Sequence, residues 1–127
     1  VQLKKWRSVA ARALPHCLAA VKSSDAPLTS VEEVEISFIN DEAIAQVHSD
    51  FMNDPTPTDV ITFHHGEILV SLDTAVSQGL EHQNPYEREV ALYIIHGLLH
   101  LAGWEDAEPA ERAEMHRLQE AILEQVW

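Results

Sequence analysis

The segment His96-Gly-Leu-Leu-His100-Leu-Ala-Gly103-Trp-Glu-Asp106 holds two imidazoles four residues apart, then a glycine, then a carboxylate. On a helix, residues i and i+4 lie on one face a turn apart, so both rings reach toward one point. Neutral imidazole nitrogens ligate zinc at about 2.0–2.1 Å, and a carboxylate oxygen fills a third position at similar range. Gly103 accepts the left-handed backbone that ends a helix, which lets Asp106 turn back toward the rings. Three protein ligands leave positions open for water, the arrangement of a catalytic rather than a structural zinc. The chain therefore reads as a metal-dependent hydrolase with His96, His100 and Asp106 as ligands. Glu105 competes for the third place, and His116 is assigned to the surface.

Two histidines on an amphipathic helix can also be ordinary polar residues. Here Val90, Ala91, Leu92, Ile94, Ile95, Leu98 and Leu99 surround them, which implies a largely buried helix. Buried imidazoles need partners or a metal. The spacing is also similar to that of metzincin peptidases, which place a glutamate general base directly after the first histidine. This chain has Gly97 there, and glycine moves no proton.

The elements that hold these residues follow from periodicity. Residues 2–21 carry Leu3, Trp6, Val9, Ala10, Ala13, Leu14, Cys17 and Leu18 at helical spacing, with a kink or break expected at Pro15. Val34, Ile36 and Phe38 alternate with polar residues as a strand. Asn40-Asp41-Glu42 caps a helix with Ile44, Val47 and Phe51 inward. Val60–Phe63 and Ile68–Leu72 read as strands flanking His64-His65-Gly66, and Asp73 or Thr74 starts another helix carrying Ala75, Val76 and Leu80. Asn84-Pro85 opens the long helix that Gly103 ends, and Asp106–Pro109 opens a last one with Met115, Leu118, Ile122 and Leu123 inward. The expectation is one α+β domain over residues 1–127, a small mixed sheet of three to four strands packed with helices, one of them a zincin-like metal-binding helix.

The chain has 127 residues, 46% of them hydrophobic, enough for a core that does not depend on a metal to fold. No run approaches the roughly 18 apolar residues of a membrane helix, and the basic start lacks the apolar stretch of a signal peptide. The single cysteine, Cys17, excludes an internal disulfide framework, reads as an inert helix residue, and suits a cytoplasmic location. Five of the eight basic residues and none of the 21 acidic ones precede position 23. Most of the surface is thus acidic and does not attract a polyanion over distance.

With Gly97 and Leu99 included, His96–Asp106 resembles the YbeY family, whose pattern is His-Gly-x-Leu-His-x-x-Gly-aromatic-Asp-His. Both glycines, the leucine, the first two histidines and the aromatic position, Trp104, match. Glu105 stands where the family has aspartate, and Asp106 where it has a third zinc-binding histidine. Pro57-Thr-Asp-Val-Ile-Thr-Phe63 and Gly66-Glu-Ile-Leu-Val-Ser71 resemble two further family strands, so the likeness covers about residues 30–125. The resemblance implies a zinc-dependent, single-strand-specific endoribonuclease acting in 16S ribosomal RNA 3′-end maturation and ribosome quality control, in contact with the ribosome or a ribosomal protein.

The resemblance also sharpens the roles. Aspartate for histidine keeps a donor but lowers the net charge of the site, which weakens the acidity of bound water and admits nickel or manganese. The family's asparagine and functionally important arginine fall at His48 and Met52, and Met52 cannot clamp a phosphate. Arg88, Arg12 and Lys22 are the candidates to compensate. Asp59 and Glu89 are the candidate general bases, with Glu89 equally suited to orienting a histidine. Asp59 also suits a local cap, His64 and His65 an exposed turn or, for one of them, a place facing the cleft, Trp104 either base stacking or cover for the site, and Ser71 and Asp73 a position near the metal or a helix cap. Two other readings remain: a metallopeptidase-like hydrolase, and a ribosome-associated binding protein whose catalysis has weakened.

Overall fold

A computed structural model describes residues 2–127. The helix α1 (Leu3–Ala19) leads through a short 3-10 turn at Pro27–Thr29 to the strand β1 (Glu35–Ile39) and α2 (Asp41–Met52). The hairpin β2 (Val60–Phe63) and β3 (Glu67–Ser71) comes next, then α3 (Leu72–His82), α4 (Tyr86–Leu101) and α5 (Pro109–Val126). The sheet has three strands in the order β1-β3-β2. Ile36 lies opposite Ile68 in the parallel β1–β3 pair, and Ile61 opposite Leu69 in the antiparallel β2–β3 pair. The fold is α+β.

Alternation along β3 divides the interior. Ile68 and Val70 belong to the main core with α1, α4 and α5, while Leu69 joins Ile61 and Ile44 in a smaller cluster under α2. The long helix α4 is buried on nearly every side, which explains its almost uninterrupted apolar sequence. Gly97 is what lets it lie so close to the sheet. A Cβ there would sit 2.8 Å from Ile68 Cγ2 and 2.9 Å from Ile68 Cδ1. The position that carries a general base in metzincins is here pressed against β3.

Several expectations need correction. The helix α1 runs unbroken through Pro15. Pro15 and Ala11, the residue whose carbonyl loses its partner, are both exposed, so water can satisfy that oxygen. Leu3 and Leu18 are exposed ends of the stripe rather than core. On α3 the buried face is Ala75 and Gly79, and Val76 and Leu80 face solvent. The small pair allows close approach: a Cβ on Gly79 would stand 2.8 Å from the Asn84 carbonyl oxygen. Phe51 is also exposed, edge-on to Phe63 with ring centroids 5.2 Å apart.

Cys17 is fully buried, and burial pushes its thiol up to about 12, so it is inert at neutral pH. Among the described residues, no helix is long and apolar enough to cross a membrane.

Candidate metal centre

Residues at a four-residue interval on α4 do converge. His96 and His100 present their rings edge to face, with centroids 4.6 Å apart and Nε2 atoms 3.1 Å apart. Asp106 Oδ2 lies 3.3 Å from His96 Nε2 and 3.7 Å from His100 Nε2. Ligand atoms around a tetrahedral ion with bonds of about 2.0–2.1 Å stand about 3.3–3.4 Å apart. The three separations bracket that value.

The hydrogen bonds on the far side of each ring decide what the near side offers. His96 Nδ1 lies 2.8 Å from Gln119 Oε1, and His100 Nδ1 lies 2.9 Å from the Trp104 carbonyl oxygen. Both partners accept, so both Nδ1 atoms carry the proton and both Nε2 atoms present bare lone pairs. Two lone pairs and a carboxylate facing one another repel unless a cation lies between them. Burial is the largest influence on His96 and holds its pKa below the usual histidine value, outweighing the upward pull of Gln119. The ring is therefore kept neutral, as a ligand must be.

The return of Asp106 is built into the end of α4. Gly103, at φ 99°, closes the helix with Gly103 N–H donating to His100 O and Trp104 N–H to Leu99 O, a Schellman pattern. Trp104 then anchors the loop: its indole N–H donates to Ala20 O at 2.9 Å, and Lys22 Nζ stands 4.7 Å from its ring centroid. Trp104 covers and fixes the loop. Glu105 lines the adjoining cleft, but Asp106 completes the cluster with the two histidines.

That cleft encloses about 350 Å³ beside the open edge of β2, with Asp59, Thr62, His64 and Met52 on its walls. Asp59 Oδ1 accepts from Val60 N–H at 2.8 Å, so the residue caps the strand and faces the cleft at once. His64 lines the cleft, whereas His65 stays on the turn beside Glu67 and Phe63. Met52 brings no charge to the rim. Of the candidate cations, Arg12 caps the Val126 carbonyl and Lys22 pairs with Glu111 at 2.7 Å. Only Arg88 reaches the neighbourhood of His96, and it is paired with Glu120 at 2.8 Å.

Glu89 lies in a second lobe of about 380 Å³ that shares Asp59 and His96 with the cleft. It is buried, and its Oε1 is 3.0 Å from Nδ1 of His82 rather than beside a ligand histidine. Gln119 takes the orienting role considered for Glu89. The clue to Gln119 was available: it lies at i+4 from Met115 and i−4 from Leu123, on the inward face of α5. Ser71 and Asp73 act as caps. Ser71 Oγ accepts from Thr74 N–H, and Asp73 accepts from Asp41 N–H at 2.9 Å. His116 is exposed, with its ring centroid 6.5 Å from that of His96.

Known proteins resemble this chain in sequence and in fold. The family described as endoribonuclease YbeY matches residues 1–127. An endoribonuclease YbeY of Protochlamydia amoebophila is 43% identical over 89 residues, which cover 61% of this chain and 59% of that protein. The one of Symbiobacterium thermophilum is 32% identical over 121 residues, 82% of this chain and 78% of its own length. The solution structure of TM1509 from Thermotoga maritima is 26% identical and superposes with a TM-score of 0.68, over all of this chain and 85% of that one. The chain thus spans between about three fifths and four fifths of these relatives. By sequence and by fold, it belongs to the YbeY endoribonuclease family.

Proposed function

We propose that the chain is a metal-dependent endoribonuclease that cleaves single-stranded RNA, with ribosomal RNA as its natural substrate. The observation that carries the reading is the convergence of two Nε2 lone pairs and Asp106 Oδ2, each imidazole held in the ligating tautomer from behind. The donor set of two imidazoles and one carboxylate suits zinc and also admits nickel or manganese. A divalent cation there supplies Lewis-acid activation of water and neutralises charge on the phosphate. Family membership supports phosphodiester chemistry, since the relatives are named endoribonucleases.

The protein's own groups complete the reaction. His96, His100 and Asp106 fix the cation at one end of the cleft. Asp59 has one oxygen engaged by Val60 N–H, and its other oxygen is available to accept the proton of the attacking water. Glu89, held by His82 in the second lobe, is set apart from that transfer. The metallopeptidase reading loses ground because a side chain at position 97 meets Ile68. By analogy with the family, the activity belongs to 16S ribosomal RNA 3′-end maturation and quality control. The buried lone thiol suits the reducing cytoplasm.

Cleavage of a single-stranded RNA oligonucleotide, beside its duplex and a peptide, tests the reading. Zinc-loaded protein is expected to cut the single strand alone, and chelation or His100→Ala to abolish cutting. Cleavage that survives His100→Ala would reject the metal mechanism.

A further inference from the structure

We propose that Arg88 holds a flanking phosphate of the RNA, exchanging Glu120 for the substrate at the second lobe. The inference deepens the ribonuclease reading and rests on it for the substrate class. The metal site answers the charge of one phosphate only. The strand's next phosphates find no cation on the cleft walls, which hold no lysine or arginine. The second lobe shares Asp59 and His96 with that cleft, and it has one such residue, Arg88.

The guanidinium is under-used where it stands. It carries a fork of N–H donors, and one of them, on Nη2, donates to Glu120 Oε2 at 2.8 Å. The rest have no protein partner among the described residues. The pair is also open to water, with the Arg88 side chain 29% exposed and that of Glu120 50%. A single-point ion pair so exposed adds little stability. A phosphate takes two parallel donors from the same fork, a stronger contact than the one it displaces. The exchange is therefore favourable, and the carboxylate it releases returns to water.

Position and elimination single out this cation. Arg88 precedes His96 by eight residues on α4, about 12 Å along the helix axis. A stacked strand advances about 3.4 Å per nucleotide, so the two points serve phosphates a few nucleotides apart. The acids of the lobe do not close it to a phosphate. Glu89 is buried against His82, and Asp59 lies on the side shared with the metal cleft, where the bound cation offsets its charge. Arg12 is held twice by the Val126 carbonyl oxygen, and Lys22 is held by Glu111.

The test is fluorescence anisotropy of zinc-loaded protein with a labelled single-stranded RNA oligonucleotide across a salt series. Arg88→Gln is expected to weaken binding about tenfold at low salt. Its salt slope should be shallower by about 0.7, one phosphate contact fewer. Glu120→Gln breaks the same ion pair from the other side and is expected to tighten binding about two- to fivefold. A clamp requires opposite signs from the two halves of one pair, and a structural ion pair does not give them. The exposed pair of Arg117 with Glu114 lines neither cavity and controls for overall charge. Arg88→Gln without a loss, Glu120→Gln without a gain, or an equal loss in Arg117→Gln would overturn the clamp. RNA cleavage followed in parallel separates the two ideas. Cutting without the opposite signs overturns the clamp and leaves the ribonuclease reading intact. The opposite signs without cutting support the clamp and contradict the ribonuclease.

Discussion

Gln119 Oε1 accepts a hydrogen bond from His96 Nδ1 at 2.8 Å, linking α5 to the metal-facing helix across 23 residues of sequence. The amide fixes the tautomer and the ring plane, so Nε2 is aimed before any cation arrives. Loss of such a contact typically costs 10–100-fold in metal affinity. Gln119→Leu is expected to weaken zinc binding by about that factor in a competition titration. Gln119→Glu, which keeps an acceptor, is expected to restore most of it. Unchanged affinity in Gln119→Leu would remove Gln119 from the site.

The pH dependence of the metal-free protein follows from His96. Burial lowers its folded pKa, so the unfolded ring, titrating near 6.5, binds its proton more readily. This contribution to stability is present above pH 6.5 and lost as pH falls through the folded value. Urea unfolding between pH 7.5 and 4.5 is expected to show a shallower loss in His96→Gln than in the native chain. A steeper loss in the variant would reverse the sign argued here.

Gly97 is predicted to be a packing requirement rather than a vacant catalytic position. Gly97→Ala places a methyl 2.8 Å from Ile68 Cγ2 and is expected to cost about 1–3 kcal/mol in denaturant unfolding. In the Gly97→Ala, Ile68→Ala double variant the two losses are expected to add to less than their sum, because the clash is gone. Simple additivity would show that the helix shifts instead.

Met52 leaves the cleft rim without a cation. Met52→Arg is expected to tighten single-stranded RNA binding at low salt. It should also steepen the salt dependence by about 0.7 in log K per log salt, the contribution of one more phosphate contact. An unaltered salt slope would mean that the RNA does not pass this rim.

How much of this was legible depended on whether the governing contact was local. The spacing of His96 and His100, the stop at Gly103 and the return of Asp106 are short-range, and the sequence displays all of them. The apolar run of α4 likewise reported its burial, whereas β1 is half-buried on both faces from Ile36 to Ile39. Periodicity did not reveal how wide each partner is. On α3 the packed face is Ala75 and Gly79, because the helices touch closely, so the larger Val76 and Leu80 stay in solvent. Pro15 looked like a break, yet an exposed carbonyl tolerates it. Gln119 acts through a distant neighbour, His96, and only the fold brings the two together.

The joint grip of His96, His100 and Asp106 on one ion is tested most directly by anomalous diffraction from zinc-soaked crystals. One peak is predicted within bonding distance, about 2.0–2.2 Å, of both Nε2 atoms and an Asp106 oxygen. A peak that leaves Asp106 out of coordination, or no peak between the two imidazoles at saturating zinc, would contradict the account.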